Sequence, residues 1–227
     1  MILSIDTATE LAGICLAEGG QILGVQNNGR QMDHAAWVHI AIKNLLHTTG
    51  RSIEQLKAVC VTEGPGSYTG LRVGMATAKG LCYSLGIPLI VESTLRVMAY
   101  RLSKEFFKET TPNATPVLLC PMIDARRMEV FTAMFNSGLQ EIVPAGAMIL
   151  DENAFRSQLD KNVVVFCGKG TTKWQEICQH VNAVFSQVSI QVTDLAVLAA
   201  GKFTLGEFAD LAYSEPAYLK NFYTGAS

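Results

Sequence analysis

A strand, an Ile-Asp pair, a polar turn and a second strand occur twice in this chain, and that recurrence restricts its fold more than any other feature. The first copy is ILSID at residues 2–6, a turn from Thr7 to Glu10, and AGICLA at 12–17. The second lies within VLLCPMIDARRMEVFTAMF, residues 117–135. Short β-branched and apolar runs bounded by polar turn residues are the pattern of hairpin strands. Asp6 and Asp124 hold corresponding places at the ends of their first strands. A duplicated unit implies two related lobes, expected to face each other across a cleft.

The sequence around each copy extends the pattern. Residues 21–26 read as a third strand, and Asp33 to about Thr48 turns helical. KAVCVT, 57–62, is a buried strand by its β-branched content; a Gly-rich loop, a helix to about Leu85 and the strand IPLIVE, 87–92, follow. Strands alternating with helices predict an α/β lobe. SKEFFKETTPNATP, 103–116, is the most polar stretch and reads as a junction, giving lobes 1–102 and 103–227. The second lobe is expected to hold a strand at 163–167, helices at 173–182 and from Thr193 to Gly206, and a tail from Tyr218 free to pack back on the first lobe.

Of the 227 residues 49% are apolar and only 17% charged, against about 25% charged in an average domain. That is more apolar surface than one core uses and points to an oligomer interface. It also excludes a disordered chain. A net charge of −2 argues against a protein that holds nucleic acid on a basic face by itself, leaving contact through a complex. No run of about 18 apolar residues predicts a membrane span. The N-terminus has no basic region before an apolar stretch, so a cytoplasmic protein is expected. The six cysteines (15, 60, 82, 120, 167 and 178) include no C-x-x-C pair, which leaves buried thiols rather than zinc or redox chemistry.

Gly64-Pro65-Gly66-Ser67-Tyr68-Thr69-Gly70 lies between a strand and a helix, where backbone N–H groups can meet an anion. Two nucleotide motifs fail on spacing. Leu71 stands where a phosphate-binding loop needs Lys, and three residues separate Gly66 from Gly70 where a dinucleotide fingerprint needs two. Glu92 mimics a ribose-binding acid without repairing that spacing. A tight turn that starts a helix and a ligand-binding loop both stay open. The following helix carries two series of small residues, Gly70-Gly74-Ala78 and Ala76-Gly80, which allow close approach of another backbone. On the preceding helix Val38, Ala41, Ile42 and Leu45 can face the lobe's sheet, leaving Trp37 and Ile40 for a second partner.

Ile5-Asp6-Thr7, the block from Gly64 through Leu71-Arg72-Val73-Gly74, Ile123-Asp124-Ala125-Arg126 with Glu129-Val130, and Glu215-Pro216-Ala217-Tyr218-Leu219-Lys220 occur in this order. In these blocks, over essentially its whole length, the chain resembles the TsaB (YeaZ) family of the bacterial tRNA threonylcarbamoyladenosine pathway. The resemblance implies a two-lobed actin-like ATPase (ribonuclease H-like) fold, each lobe a mixed sheet with flanking helices. It implies a non-catalytic subunit that pairs with the catalytic relative TsaD, is joined by the small ATPase TsaE, and touches tRNA only through that complex. TsaC supplies threonylcarbamoyl-adenylate, and the assembly transfers the threonylcarbamoyl group to N6 of the adenosine beside the anticodon of tRNAs reading ANN codons. The two helices would build the contact with TsaD and self-associate into a homodimer without it. The expected interface residues are His34, Trp37, Ile40, Leu71, Gly74, Met75, Ala78 and Cys82. No cofactor is expected on the chain by itself, which leaves room for ATP or ADP in the assembled complex.

The residues bear on three catalytic alternatives. The catalytic relative holds a metal with two histidines at i and i+4; here His34 is followed by Val38 at i+4 and His39 at i+5, about 140° away on the helix, so no metal is expected. A peptidase lacks H-E-x-x-H, G-x-S-x-G and any base for Ser67. An autonomous ATPase of the actin-like class would use Asp6, Thr7 and Thr9, with Asp124 as a facing acid. Gly64, Gly66, Ser67, Thr69 and Gly70 would offer an anion loop, and Gly168-Lys169-Gly170 a reduced second one. Against it stands a second lobe short for such an enzyme. The competing role for Asp6 is a turn-capping acid that bonds the N–H of Ala8 or Thr9. Arg126 and Arg127, adjacent in an expected turn, read as ordinary solvated charges, with contacts to RNA or a partner as the alternative.

Overall fold

The computed structural model describes residues 1–29, 34–106 and 116–220, the side chain of His34 excepted. The first hairpin forms as its pattern predicts, from β1 (Ile2–Asp6) and β2 (Ala12–Glu18), and β3 (Gln21–Asn28) extends it. Helix α1 (His34–Thr48) then crosses to β4 (Ala58–Gly64), and α2 (Tyr68–Leu85) to β5 (Leu89–Ser93). The sheet order is β3-β2-β1-β4-β5, antiparallel over the first three strands and parallel from β1 onward. Strand β1 is buried along its whole length, as a parallel central strand covered on both faces must be. Its alternate residues serve two cores. Leu3 and Ile5 join Val59 and Val61 of β4 beneath Val38, Ala41 and Leu45 of α1 and Met75, Ala78 and Cys82 of α2. Ile2, Ala58 and Cys60 face the other way.

That second face is closed by a helix from the far end of the sequence. Leu195 and Ala199 of α6 (Val192–Leu205) pack with Ile2, Ala58, Cys60 and Ile90, and Val192 and Ala196 with Cys15 and Ala17. Each large aliphatic side chain so buried contributes about 1.5–3 kcal/mol. One compact unit is therefore Met1–Val97 with Ile190–Ala217, and the other is Met98–Ser189 with the chain from Tyr218. This corrects the expected lobes 1–102 and 103–227: the apolar stripe of α6 belongs to the first sheet, and the division falls inside α3 (Thr94–Phe106). Most of the expected junction, 103–116, lies outside the described residues. The tail expectation is corrected too. The returning segment ends at Ala217, whose N–H donates to the carbonyl of Glu63 at 2.7 Å, whereas Tyr218 groups with the second unit and Lys220 pairs there with Glu129.

The second unit repeats the first in topology. Strands β6 (Val117–Asp124), β7 (Glu129–Phe135), β8 (Glu141–Ile149), β9 (Val163–Cys167) and β10 (Ala183–Ser186) take the order β8-β7-β6-β9-β10, antiparallel then parallel at the same places. Its helices are short, α4 (Arg156–Leu159) and α5 (Thr171–Gln175). The helix expected over 173–182 stops at Gln175. Trp174 has its ring buried against Phe155, Phe166 and Phe185, and its indole N–H donates to the Asp151 carbonyl at 3.1 Å. Turns and irregular chain take the rest of the expected helix, and strand β10 begins after it, at Ala183. Among the described residues no helix is long and apolar enough to cross a membrane.

Candidate functional site

The hairpin end and the Gly-rich loop meet as one packed constellation. Asp6 is buried; its Oδ1 accepts from the N–H of Ala8 at 3.0 Å and from Thr62 Oγ1 at 2.9 Å. Burial pushes its carboxyl above the ordinary Asp value, and those two hydrogen bonds oppose the rise. Asp6 is thus the turn-capping acid of the hairpin. Thr7 Oγ1 donates to the carbonyl of Gly70 at 2.7 Å, and the N–H of Ser67 donates to the carbonyl of Ala8, also at 2.7 Å. Ser67 caps α2, its Oγ accepting from the N–H of Gly70 at 3.3 Å.

The glycines are explained by this approach. A Cβ on Gly66 would stand 2.2 Å from the Ala8 carbonyl oxygen, one on Gly70 2.0 Å from that of Thr7, and one on Gly74 2.4 Å from Thr7 Oγ1. Gly64, at φ +126°, lies under the carbonyl of Ala217, which is why the Glu215-Pro216-Ala217 block accompanies the Gly-rich block. Thr9 and Thr69 remain at the edge of the constellation, Thr9 donating weakly to Leu11 at 3.4 Å. Glu92 is no ribose mimic here: it is buried, 3.2 Å from Lys202 of α6 and 3.3 Å from Arg96.

The second unit uses its candidate residues in the same way. Asp124 accepts from the N–H of Arg126 at 2.8 Å, repeating the Asp6–Ala8 turn. A bond from Lys173 at 2.6 Å holds its carboxyl below the usual range. Lys173 also reaches the carbonyls of Arg127 and Glu129. Arg126 and Arg127 are exposed, and both have positive φ (70° and 48°). A Cβ on Gly168 would stand 2.4 Å from the Met122 carbonyl oxygen, and one on Gly170 2.9 Å from Met122 Cβ. Both glycines admit that strand.

The outward faces of α1 and α2 leave apolar surface uncovered within their unit. Ile40 is 61% exposed and Tyr83 83%, with Ala36, Ala76 and Gly80 also exposed and Trp37 half-buried. The structure redistributes the expected interface set. Leu71, Gly74, Met75, Ala78 and Cys82 point into the unit's own core, so the small series Gly70-Gly74-Ala78 serves the hairpin and sheet, and the outward series is Ala76-Gly80. The side chain of His34 lies outside the described residues. Tyr83 was missed because a lone tyrosine near a helix end carries no periodic signal. Among the described residues no three His, Cys, Asp or Glu side chains gather as a metal site. Burial pushes the Cys82 thiol up to about 11 and those of Cys15 and Cys167 to about 12, which suits packing rather than nucleophilic chemistry.

Comparison with known proteins places this architecture. Residues 22–219 match the family model described as "TsaD: tRNA N6-adenosine threonylcarbamoyltransferase". Two curated relatives align along nearly the whole chain. The tRNA threonylcarbamoyladenosine biosynthesis protein TsaB of Bacillus subtilis (strain 168) is 28% identical over 96% of this chain and 93% of its own length. That of Escherichia coli (strain K12) is 28% identical over 97% and 94%. The solved structure of YeaZ from Pseudomonas aeruginosa has the same fold, with a TM-score of 0.79 at 23% identity over 96% of this chain and 99% of the other.

Proposed function

The chain belongs to the family that this model describes, and within it to the TsaB (YeaZ) group, whose role is in the synthesis of threonylcarbamoyladenosine in tRNA; from that premise we propose that it is the non-catalytic partner of the catalytic subunit. It acts by docking the outward faces of α1 and α2 on TsaD, which transfers the threonylcarbamoyl group. The observation that carries this reading is the uncovered apolar face around Ile40 and Tyr83, set on helices whose inner faces are fully committed to the core. An aromatic and a branched aliphatic side chain beside small residues suit the dry centre of a protein interface. The bonds of Asp6 with Ala8 and Thr62, and of Gly70 with Thr7 and Ser67, support a structural use of the residues an ATPase would need. TsaE, tRNA and ATP or ADP join only with the assembled complex, in the cytoplasm.

The reading is tested by co-purification with the catalytic subunit. Ile40→Asp with Tyr83→Asp should lower the affinity at least tenfold, about 1.4 kcal/mol or more for two interface anchors, while the melting temperature stays near that of the wild type. Undiminished binding of the double variant overturns the assignment of the face.

A further inference from the structure

The stretch from residue 34 to 53 contains three of the chain's four histidines, with Lys43 and Arg51, and none of its twenty acids. His39, Lys43 and His47 follow one another at i, i+4 and i+8, about 6 Å apart along α1 and turning about 40° at each step, so they form one row on its flank. Arg51 continues the row after the turn at Gly50. Together they rim a groove of about 480 Å³, floored by Ile42 and Leu46 and closed from the side of α2 by Leu81. No acid lines it. Among the described residues the side chains of His39, Lys43 and His47 have no hydrogen-bond or ionic partner, and Arg51 has one, Glu18 at 3.4 Å. Basic groups near a helix C-terminus complement the helix dipole. That accounts for His47 and Arg51 but not for Lys43 and His39, one and two turns earlier.

Resting on the docking reading above, we propose that this seam between α1 and α2 receives an acidic amphipathic helix of the catalytic partner, its carboxylates meeting the row of His39, Lys43, His47 and Arg51. The groove dictates that chemistry. An apolar floor whose rim carries the cations Lys43 and Arg51, with the imidazole N–H groups of His39 and His47 beside them, accepts a helix whose aliphatic side chains drop into the floor while Asp or Glu residues reach the rim. An RNA strand would lay its sugar-phosphate backbone over Ile42 and Leu46, and the groove offers a base only the imidazoles of His39 and His47, with no Phe, Tyr or Trp face. A second copy of this chain, docked about a twofold axis, brings the same face of α1 and α2, which carries no acid over residues 34–53 and 68–85, so Lys43 and Arg51 gain no carboxylate from it. The row therefore selects the partner over self-association at a face apolar enough to permit both.

The test is the affinity of the full chain for the catalytic subunit as a function of salt, comparing wild type, Lys43→Glu with Arg51→Glu, and Lys161→Glu as a control in the second unit. The row predicts a loss of roughly tenfold or more for the double reversal at about 0.05 M salt. The gap should narrow to within about threefold near 0.5 M, where the screening length falls to a few ångströms, and the control should be unchanged. Equal binding of wild type and double variant at every salt overturns the proposal and leaves the docking reading standing. A wild type that binds at no salt overturns the docking reading itself. Unchanged partner affinity with weaker tRNA binding by the assembled complex would assign the row to RNA, and unchanged partner affinity with altered self-association would assign it to a second copy; either result overturns the proposal.

Discussion

Asp6 and Asp124 do one job in two settings. Each ends the first strand of its unit and accepts from the N–H two residues on, but Asp6 is buried and Asp124 is half open to water beside Lys173. Because the folded state raises the Asp6 value above its ordinary one near 3.9, Asp6 favours folding below the unfolded value, and that contribution is lost as pH rises through the folded value. Asp6→Asn keeps an oxygen for Ala8 and Thr62 and has nothing to titrate. Its stability relative to wild type should therefore rise with pH across that window, read as the midpoint of urea unfolding at several pH values. A relative stability that falls with rising pH would contradict the assignment of Asp6 as a buried, desolvated cap. The capping role was legible in the sequence, since Asp before a polar turn is a local signal. The use of Gly66, Gly70 and Gly74 was not: the atoms they make room for, in Thr7 and Ala8, are about sixty residues away, and spacing along one helix cannot tell an inward small stripe from an outward one.

Among the elements, α6 is the one whose place the sequence hid. Its apolar stripe was visible, but a stripe does not say which sheet it covers, and proximity in sequence pointed to the wrong one. Lys202 anchors it, reaching both the buried Glu92 carboxylate and the Val91 carbonyl, at 3.2 and 2.8 Å. Lys202→Met removes one cation, leaving the Glu92 carboxylate with Arg96 and the N–H of Ser93, and should cost roughly 3 kcal/mol, measured by chemical denaturation. An unchanged midpoint would show that apolar packing alone holds α6. Strands β8 and β10 were also missed, because β8 mixes Pro144 and Gly146 into its run and β10 is only four residues long. The first two strands of each unit were readable because their alternation and turn residues agree.

At the scale of the whole molecule, the account holds that a duplicated fold has turned its hairpin, Gly-rich loop and acids to internal support, and that function has moved to the outward faces of α1 and α2. The excess of apolar residues pointed to an interface, and Trp37 and Ile40 lie on the uncovered face proposed for it; the small stripe Gly70-Gly74-Ala78, expected to share that face, is turned inward. Gly74→Leu would strike the core and so cannot report on docking, whereas Ile40 and Tyr83 can. The most direct test is mass spectrometry of nucleosides from bulk tRNA in a host depleted of this protein and complemented with one of three forms. Wild type and Asp6→Asn should both restore threonylcarbamoyladenosine, and Ile40→Asp with Tyr83→Asp should not, with other modified nucleosides unchanged throughout. Restoration by the docking variant together with failure of Asp6→Asn would contradict the account and place the activity in the hairpin constellation.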